Sequence, residues 1–395
     1  MSPLKLRRAA ARGRARWFGP RLLRIDASSF AEAHGRLGEL LKGMIARVAR
    51  KRIAALSGEV FKDQIWLARR CRRHLLTLAG NRTAGALVRS GLHEYFAALS
   101  AWSAKARLAR VADRCAPIDG QAVTEQDLGF WLQDDNTGCQ SGMLRSHDGR
   151  IVFWHTEEDT IGYFDRPRIV AMTVAGRAWH SFVYPYLLPG PAFGWSEGVF
   201  QAVDSLSVQR GAGDVGCPVC VATWLTWRLA GQVDVLRVLR ALRPFVDGCA
   251  LNVVARRDGG RPVTGTTYEF GRQHVCAREL RAAGGSWQFQ ANAVSSAAEP
   301  LRADEALDGD ERRRYEARRD RTGQAIERLT TRLADGAWPD AVLAMLASRR
   351  GGSYAYANDD VETHCVGLAA PERIAIYAAP GSASRGDRFR PQFVA

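Results

Sequence analysis

The sequence has no run of eighteen apolar residues, which excludes a helix spanning a bilayer. No apolar stretch follows Arg7-Arg8, so the basic N-terminus does not read as a secretory signal. Without an export signal, the eight cysteines in 395 residues are expected to be reduced thiols of a cytoplasmic protein. A second Cys-x-x-Cys is missing. Cys217-Pro218-Val219-Cys220 therefore lacks the partner pair of a structural zinc site, and Cys249, Cys276 and His274 lie at no recognisable ligand spacing from it. Internal repeats and low-complexity segments are absent too. Acidic residues are scarce, 41 against 56 Lys and Arg, for a net charge of +15. Residues 1–52 alone hold fourteen Lys/Arg and three Asp/Glu, a difference of +11. No nucleic-acid motif accompanies that charge. It reads as a solvated helix face with a basic tail, or as a surface for an acidic partner such as a carrier protein.

What is present is enough apolar residue, 46%, to bury a large core. Residues 1–19 read as a flexible basic arm. Arg21-Leu22-Leu23-Arg24-Ile25 is a strand candidate, and Ser29-Phe30-Ala31-Glu32 has the form of a capping box opening a helix. That helix carries Ala33-His34-Gly35, with His34 read as a packing residue. Residues 60–113 give further helices, in which Trp66, Tyr95, Phe96 and Trp102 are expected in the core. Residues 114–137 turn polar and irregular, a stretch that would tolerate backbone cleavage. Residues 168–206 alternate as strands do. Tyr184-Pro185-Tyr186-Leu187-Leu188-Pro189-Gly190 is a rigid aromatic connection suited to walling a pocket. Residues 215–243 form a helical pair broken at Gly231, and strands are expected at 250–256, 264–270 and 287–291. Helices over 303–336 and 340–348 precede closing strands at 361–368 and 374–379. This order of helices and strands, twice repeated, fits an α+β layered architecture.

The chemistry-bearing stretch is Gly138-Cys139-Gln140-Ser141. Asp148-Gly149 reads as a turn between two short strands. The first strand carries Cys139 and Ser141; the second, Ile151-Val152-Phe153-Trp154, runs into His155-Thr156-Glu157-Glu158-Asp159. A thiol preceded by a small residue is thus brought beside carboxylates, which is how a nucleophile is set next to groups that tune its charge. Gly138 would allow the strained backbone needed for the thiol to attack the peptide bond before it.

In this order and spacing, the motifs resemble the acyl-coenzyme A:6-aminopenicillanate acyltransferase-like family of N-terminal nucleophile hydrolases. The similarity extends over roughly residues 20–385, including Gly216-Cys217-Pro218 at a helix start and a Thr near Thr363 in the closing strands. The resemblance implies a four-layer αββα sandwich of two antiparallel sheets flanked by helices. It implies cleavage between Gly138 and Cys139 into chains 1–138 and 139–395, with the helical segment 20–138 and the segment 139–395 both parts of one compact domain, and with a homo-oligomer left open. Cys139 would be the nucleophile and its freed α-amine the base. Such an amine titrates near ~7.7–8.

A carboxylate would hold that amine. The His-Thr-Glu-acid register names Glu158, while counting from Asp148-Gly149 names Glu157. Ser141 and Thr156 would support the catalytic network, and His155, Glu157, Tyr184 and Trp195 would line the substrate site. Asp204 and Trp195 stand where the family has Asn, and Gln140 stands where it has Thr. An ionised Asp204 would repel the oxyanion that an Asn amide stabilises. The expected activity is hydrolysis or formation of an amide on a small non-peptide substrate, often in secondary metabolism, with no cofactor or metal implied. The alternative that these departures allow is a catalytically altered member that binds a partner.

Overall fold

The computed structural model describes residues 21–133, 139–160, 168–190, 192–196, 198–206, 215–255, 263–290, 292, 309–330, 338–347, 361–370, 373–378 and 390–394. The basic arm and Gly138 lie outside these residues. The chain is α+β, with two sheets and helices before, between and after their strands.

The N-terminal part is helical. After β1 (Arg21–Ala27) come α1 (Phe30–Ala55), α2 (Gly58–Gly80), α3 (Ala86–Lys105), the single turn α4 (Ala109–Ala112) and α5 (Glu125–Leu132). Each long helix buries one stripe. In α1 it is Phe30, Ala33, Leu37, Leu41, Ile45, Val48 and Ala49, spaced at three and four residues. Ser29 caps α1 by accepting from the Glu32 amide at 3.2 Å. The Glu32 carboxylate reaches back one residue further than in a capping box, to the backbone and hydroxyl of Ser28, both at 2.8 Å. At Thr124 and Asp127 the reciprocal box is complete and opens α5. Asp127 also binds Arg69 of α2 at 2.9 and 3.1 Å, tying the two helices together. Tyr95 and Trp102 are core residues and Phe96 packs against the core. Trp66 is not, at 42% exposed. It follows Ile65 of the buried stripe by one position, about 100° round the helix, and lies under the Arg70 guanidinium at 4.4 Å.

The first sheet has the order β1-β4-β5-β6-β7-β8-β9-β10. Its further strands are β4 (Arg168–Val174), β5 (Arg177–Val183), β6 (Phe193–Ser196), β7 (Val199–Leu206), β8 (Gly248–Ala255), β9 (Thr264–Gly271) and β10 (His274–Glu279). The second sheet has the order β11-β2-β3-β12-β13-β14, built from β2 (Cys139–Arg145), β3 (Ile151–Thr160), β11 (Trp287–Gln290), β12 (Val361–Ala370), β13 (Arg373–Ala378) and β14 (Arg390–Val394). The expectation of two antiparallel sheets needs correction. β1 pairs with β4 in parallel, Arg21 opposite Arg168 through Ala27 opposite Val174, so the first sheet is mixed. Parallel pairing requires a long crossover, and the N-terminal helices lie within that connection. β10 and β14 were not expected either. Both are short, and β10 is largely exposed, so neither carries an apolar run.

Helices α6 (Val219–Arg228) and α7 (Val235–Leu242) form the expected pair around Gly231, whose φ is +75°. Helix α8 (Gly309–Thr330) and α9 (Trp338–Ala347) belong with the second sheet. Ala325, Ile326, Val342, Met345 and Leu346 form a small apolar cluster with Leu144, Val152, Trp154 and Phe289. Trp154 lies flat over Gly142, where a Cβ would come within 1.9 Å of the indole, so only glycine fits there. The alternation of β2 and β3 follows from this division. Gly142 and Leu144 turn toward α8 and α9, while Met143 and Phe153 join the main core. Cys139, Ser141, His155 and Glu157 fall on the same side as Met143 and Phe153.

Candidate active site

The β2–β3 hairpin fixes the geometry. Cys139 stands opposite Glu157, Ser141 opposite His155, Met143 opposite Phe153 and Arg145 opposite Ile151. The turn over 146–150 is held by Gly149 N–H donating to Ser146 O at 3.0 Å, with Gly149 at φ +87°. Arg145 clamps its base by donating to the carbonyls of Gly149, Val263 and Arg281. A slip of one residue would carry every side chain to the other face. Of the two glutamates, Glu157 is the one that shares the face of Cys139. Glu158 pairs with Thr363 of β12, and its side chain lies outside the described residues.

The Cys139 thiol donates to Glu157 Oε1 at 3.4 Å, and the Tyr184 hydroxyl donates to the same oxygen at 2.7 Å. The other oxygen, Oε2, lies 2.8 Å from His155 Nε2. His155 Nδ1 is 2.8 Å from Ser141 Oγ, which is 3.1 Å from Asp204 Oδ1. Asn252 Nδ2 donates to Asp204 Oδ2 at 2.7 Å. Thr267 then joins Asn252 Oδ1 (2.7 Å) to Gln288 Oε1 (2.9 Å). This chain of polar groups crosses from the second sheet to the first and back. Each of its members is buried, with Glu157, His155, Ser141 and Asp204 at 0% exposure.

Ser141 has one hydroxyl proton and two acceptor-bearing neighbours at bonding distance, His155 Nδ1 and Asp204 Oδ1, so it links the imidazole to the carboxyl group of the other sheet.

Not every expected residue lies in this cluster. Thr156 points to the opposite face, its hydroxyl 3.5 Å from Gln140 O. Trp195 stacks on His180 at 4.7 Å with ring planes 1° apart, within the first sheet. Tyr184 does reach the cluster, through its hydroxyl at Glu157 Oε1. Its segment is fastened by Gln133, which donates to Tyr186 O at 3.1 Å and accepts from Leu188 N–H at 2.8 Å. Asn252 is the residue that sequence reading missed; the signal was a lone amide inside the apolar β8 run Leu251-Asn252-Val253-Val254. His34 is a core residue, as expected.

Of the other thiols, Cys217 and Cys249 are fully buried. Burial first, and then the neighbouring Cys71, pushes the Cys217 thiol well up; burial first, and then the Asp204 charge, does the same to Cys249. Protonated and enclosed, they are poor nucleophiles. Among the described residues, the group of His, Cys, Asp and Glu whose donor atoms converge as metal ligands do is Cys139, His155 and Glu157. No protein-family model and no curated protein matches the sequence. No described helix is long and apolar enough to cross a membrane.

Proposed function

We propose that this chain is a self-cutting N-terminal nucleophile enzyme of the αββα class, a cysteine amidohydrolase or acyltransferase acting on a small amide or acyl thioester. The observation that supports this best is the Cys139 sulfur, at the first residue of a strand and 3.4 Å from a carboxylate that is itself braced by Tyr184 and His155. Before cleavage there is no α-amine to act as base, and Glu157 is the group positioned to take the thiol proton. The thiolate attacks the Gly138 carbonyl carbon, and the peptide nitrogen leaves with a proton. Water then hydrolyses the resulting thioester, leaving a Gly138 carboxylate and a free amine on Cys139. The products are chains 1–138 and 139–395. In turnover that amine deprotonates the thiol, Glu157 holds it as the ammonium, and the substrate acyl group passes to Cys139 as its amine or thiol leaves. Water or an incoming amine completes the cycle. A cytoplasmic setting, which keeps thiols reduced, belongs to this reading.

One observation favours a non-catalytic binding protein instead: Cys139 is only 1% exposed in the uncut chain. Intact mass of the purified protein separates the two readings. Fragments meeting between residues 138 and 139, absent from Cys139→Ala, support the enzyme. A single uncut chain that also fails to label with an acylating thioester analogue would overturn it.

A further inference from the structure

We infer that Cys139, His155 and Glu157 form a binding site for one thiophilic divalent cation of the zinc class. One sulfur, one imidazole nitrogen and one carboxylate oxygen lie within 4.8 Å of one another. Metal–ligand bonds of about 2.0–2.3 Å separate the ligand atoms of a tetrahedral zinc by about 3.3–3.6 Å. Cys139 Sγ lies 3.4 Å from Glu157 Oε1, already this spacing, while His155 Nε2 lies 2.8 Å from the other oxygen, Oε2, so the carboxylate stands between the sulfur and the imidazole whichever oxygen binds.

The surroundings are those of a built ligand set. His155 turns Nε2 toward the other two donors because Ser141 engages Nδ1 at 2.8 Å, with Asp204 Oδ1 3.7 Å from the same nitrogen. A ligating imidazole is commonly oriented in this way by a hydroxyl or carboxylate on its far side. Glu157 is held in turn by the Tyr184 hydroxyl at 2.7 Å. A thiol or imidazole gives up its proton when it binds a metal, so affinity should rise with pH. Among the described residues, three donors fill three of the four tetrahedral positions. If the proposed thiol chemistry holds, a bound ion occupies the nucleophile and inhibits it.

The test uses the full-length protein, stripped of metal, with its cut or uncut state read first by intact mass. Adding Co2+ should give a thiolate-to-cobalt charge-transfer band that saturates at one equivalent and is displaced by Zn2+. Cys139→Ser should abolish the band, Glu157→Gln should weaken binding at least about tenfold, and Cys217→Ser should leave it unchanged. On the wild-type protein, zinc-edge X-ray absorption should show one sulfur ligand with nitrogen and oxygen neighbours. Absence of a band at one equivalent, its survival in Cys139→Ser, or two or more sulfurs at the zinc (the mark of the Cys217/Cys220 pair) would overturn the inference. A band from a protein that never cuts itself would sink the enzyme proposal and leave this one standing.

Discussion

His34 should make the protein acid-sensitive by a calculable amount. Its Nδ1–H donates to Phe30 O at 2.7 Å, and its Nε2 accepts from the Trp224 indole N–H at 3.3 Å. These two contacts fix a neutral ring. A second proton would sit on Nε2, facing another N–H, in a fully buried site between α1 and α6. Burial accordingly lowers the His34 pKa from the ordinary 6.5 to about 4, the bond to Phe30 offsetting only part of the effect. Between those values the unfolded chain binds a proton here and the folded chain does not. Stability is therefore fully present above the unfolded pKa and falls as the pH drops toward 4. At ~1.4 kcal/mol per tenfold, the whole gap corresponds to about 3 kcal/mol, of which roughly 2 kcal/mol is lost between about pH 7 and about pH 4.5. Urea unfolding of the wild type and of His34→Gln at those two pH values isolates the contribution, because the carboxylates common to both cancel. The wild type should lose roughly 2 kcal/mol more than the variant. His93→Gln, at an exposed position, should behave as wild type. Equal losses in the wild type and His34→Gln would refute the argument.

Gly142→Ala should cost at least about 2 kcal/mol and shift the tryptophan emission, since its Cβ would come within 1.9 Å of the Trp154 ring and push the indole out of the cluster under α8 and α9. Asp127→Ala removes both the reciprocal cap of α5 and the partner of the largely buried Arg69, so a loss of about 3 kcal/mol is expected in denaturant melts. Ser141→Ala leaves a folded protein but cuts the link between His155 and Asp204. If the chain cuts itself as proposed, that cleavage, followed by intact mass, should then slow by about 10- to 100-fold, whereas a mere strand-edge hydroxyl would give no change. Glu157→Gln should slow the same cleavage more, by about 10²- to 10⁴-fold, the usual worth of a positioned acid–base group.

The legible part of the fold was its periodic part. The stripe of α1, the break at Gly231 and the hairpin at Asp148-Gly149 each follow from local spacing. Two features did not follow from it. The parallel β1–β4 pair is specified by the crossover between those strands, not by either strand's own residues. The choice between Glu157 and Glu158 depended on which residue stands opposite Cys139. Adjacent glutamates look identical in a sequence, and only the turn length, which sets Arg145 opposite Ile151, separates them.

Asp204 was harder still, because its meaning depends on residues from other strands. By itself an aspartate where an amide would donate to an oxyanion looks like a lost function. In the fold, the neighbouring strand supplies an amide of its own: Asn252 donates to Asp204, and Ser141 stands between Asp204 and His155. The carboxylate thus acts on the imidazole through the serine, at a 3.7 Å separation from Nδ1 that leaves no room for a reacting carbonyl between them. Position 204 joins β7 to β8 through Asn252 and to the β2–β3 hairpin through Ser141, a role that the residue type alone does not show.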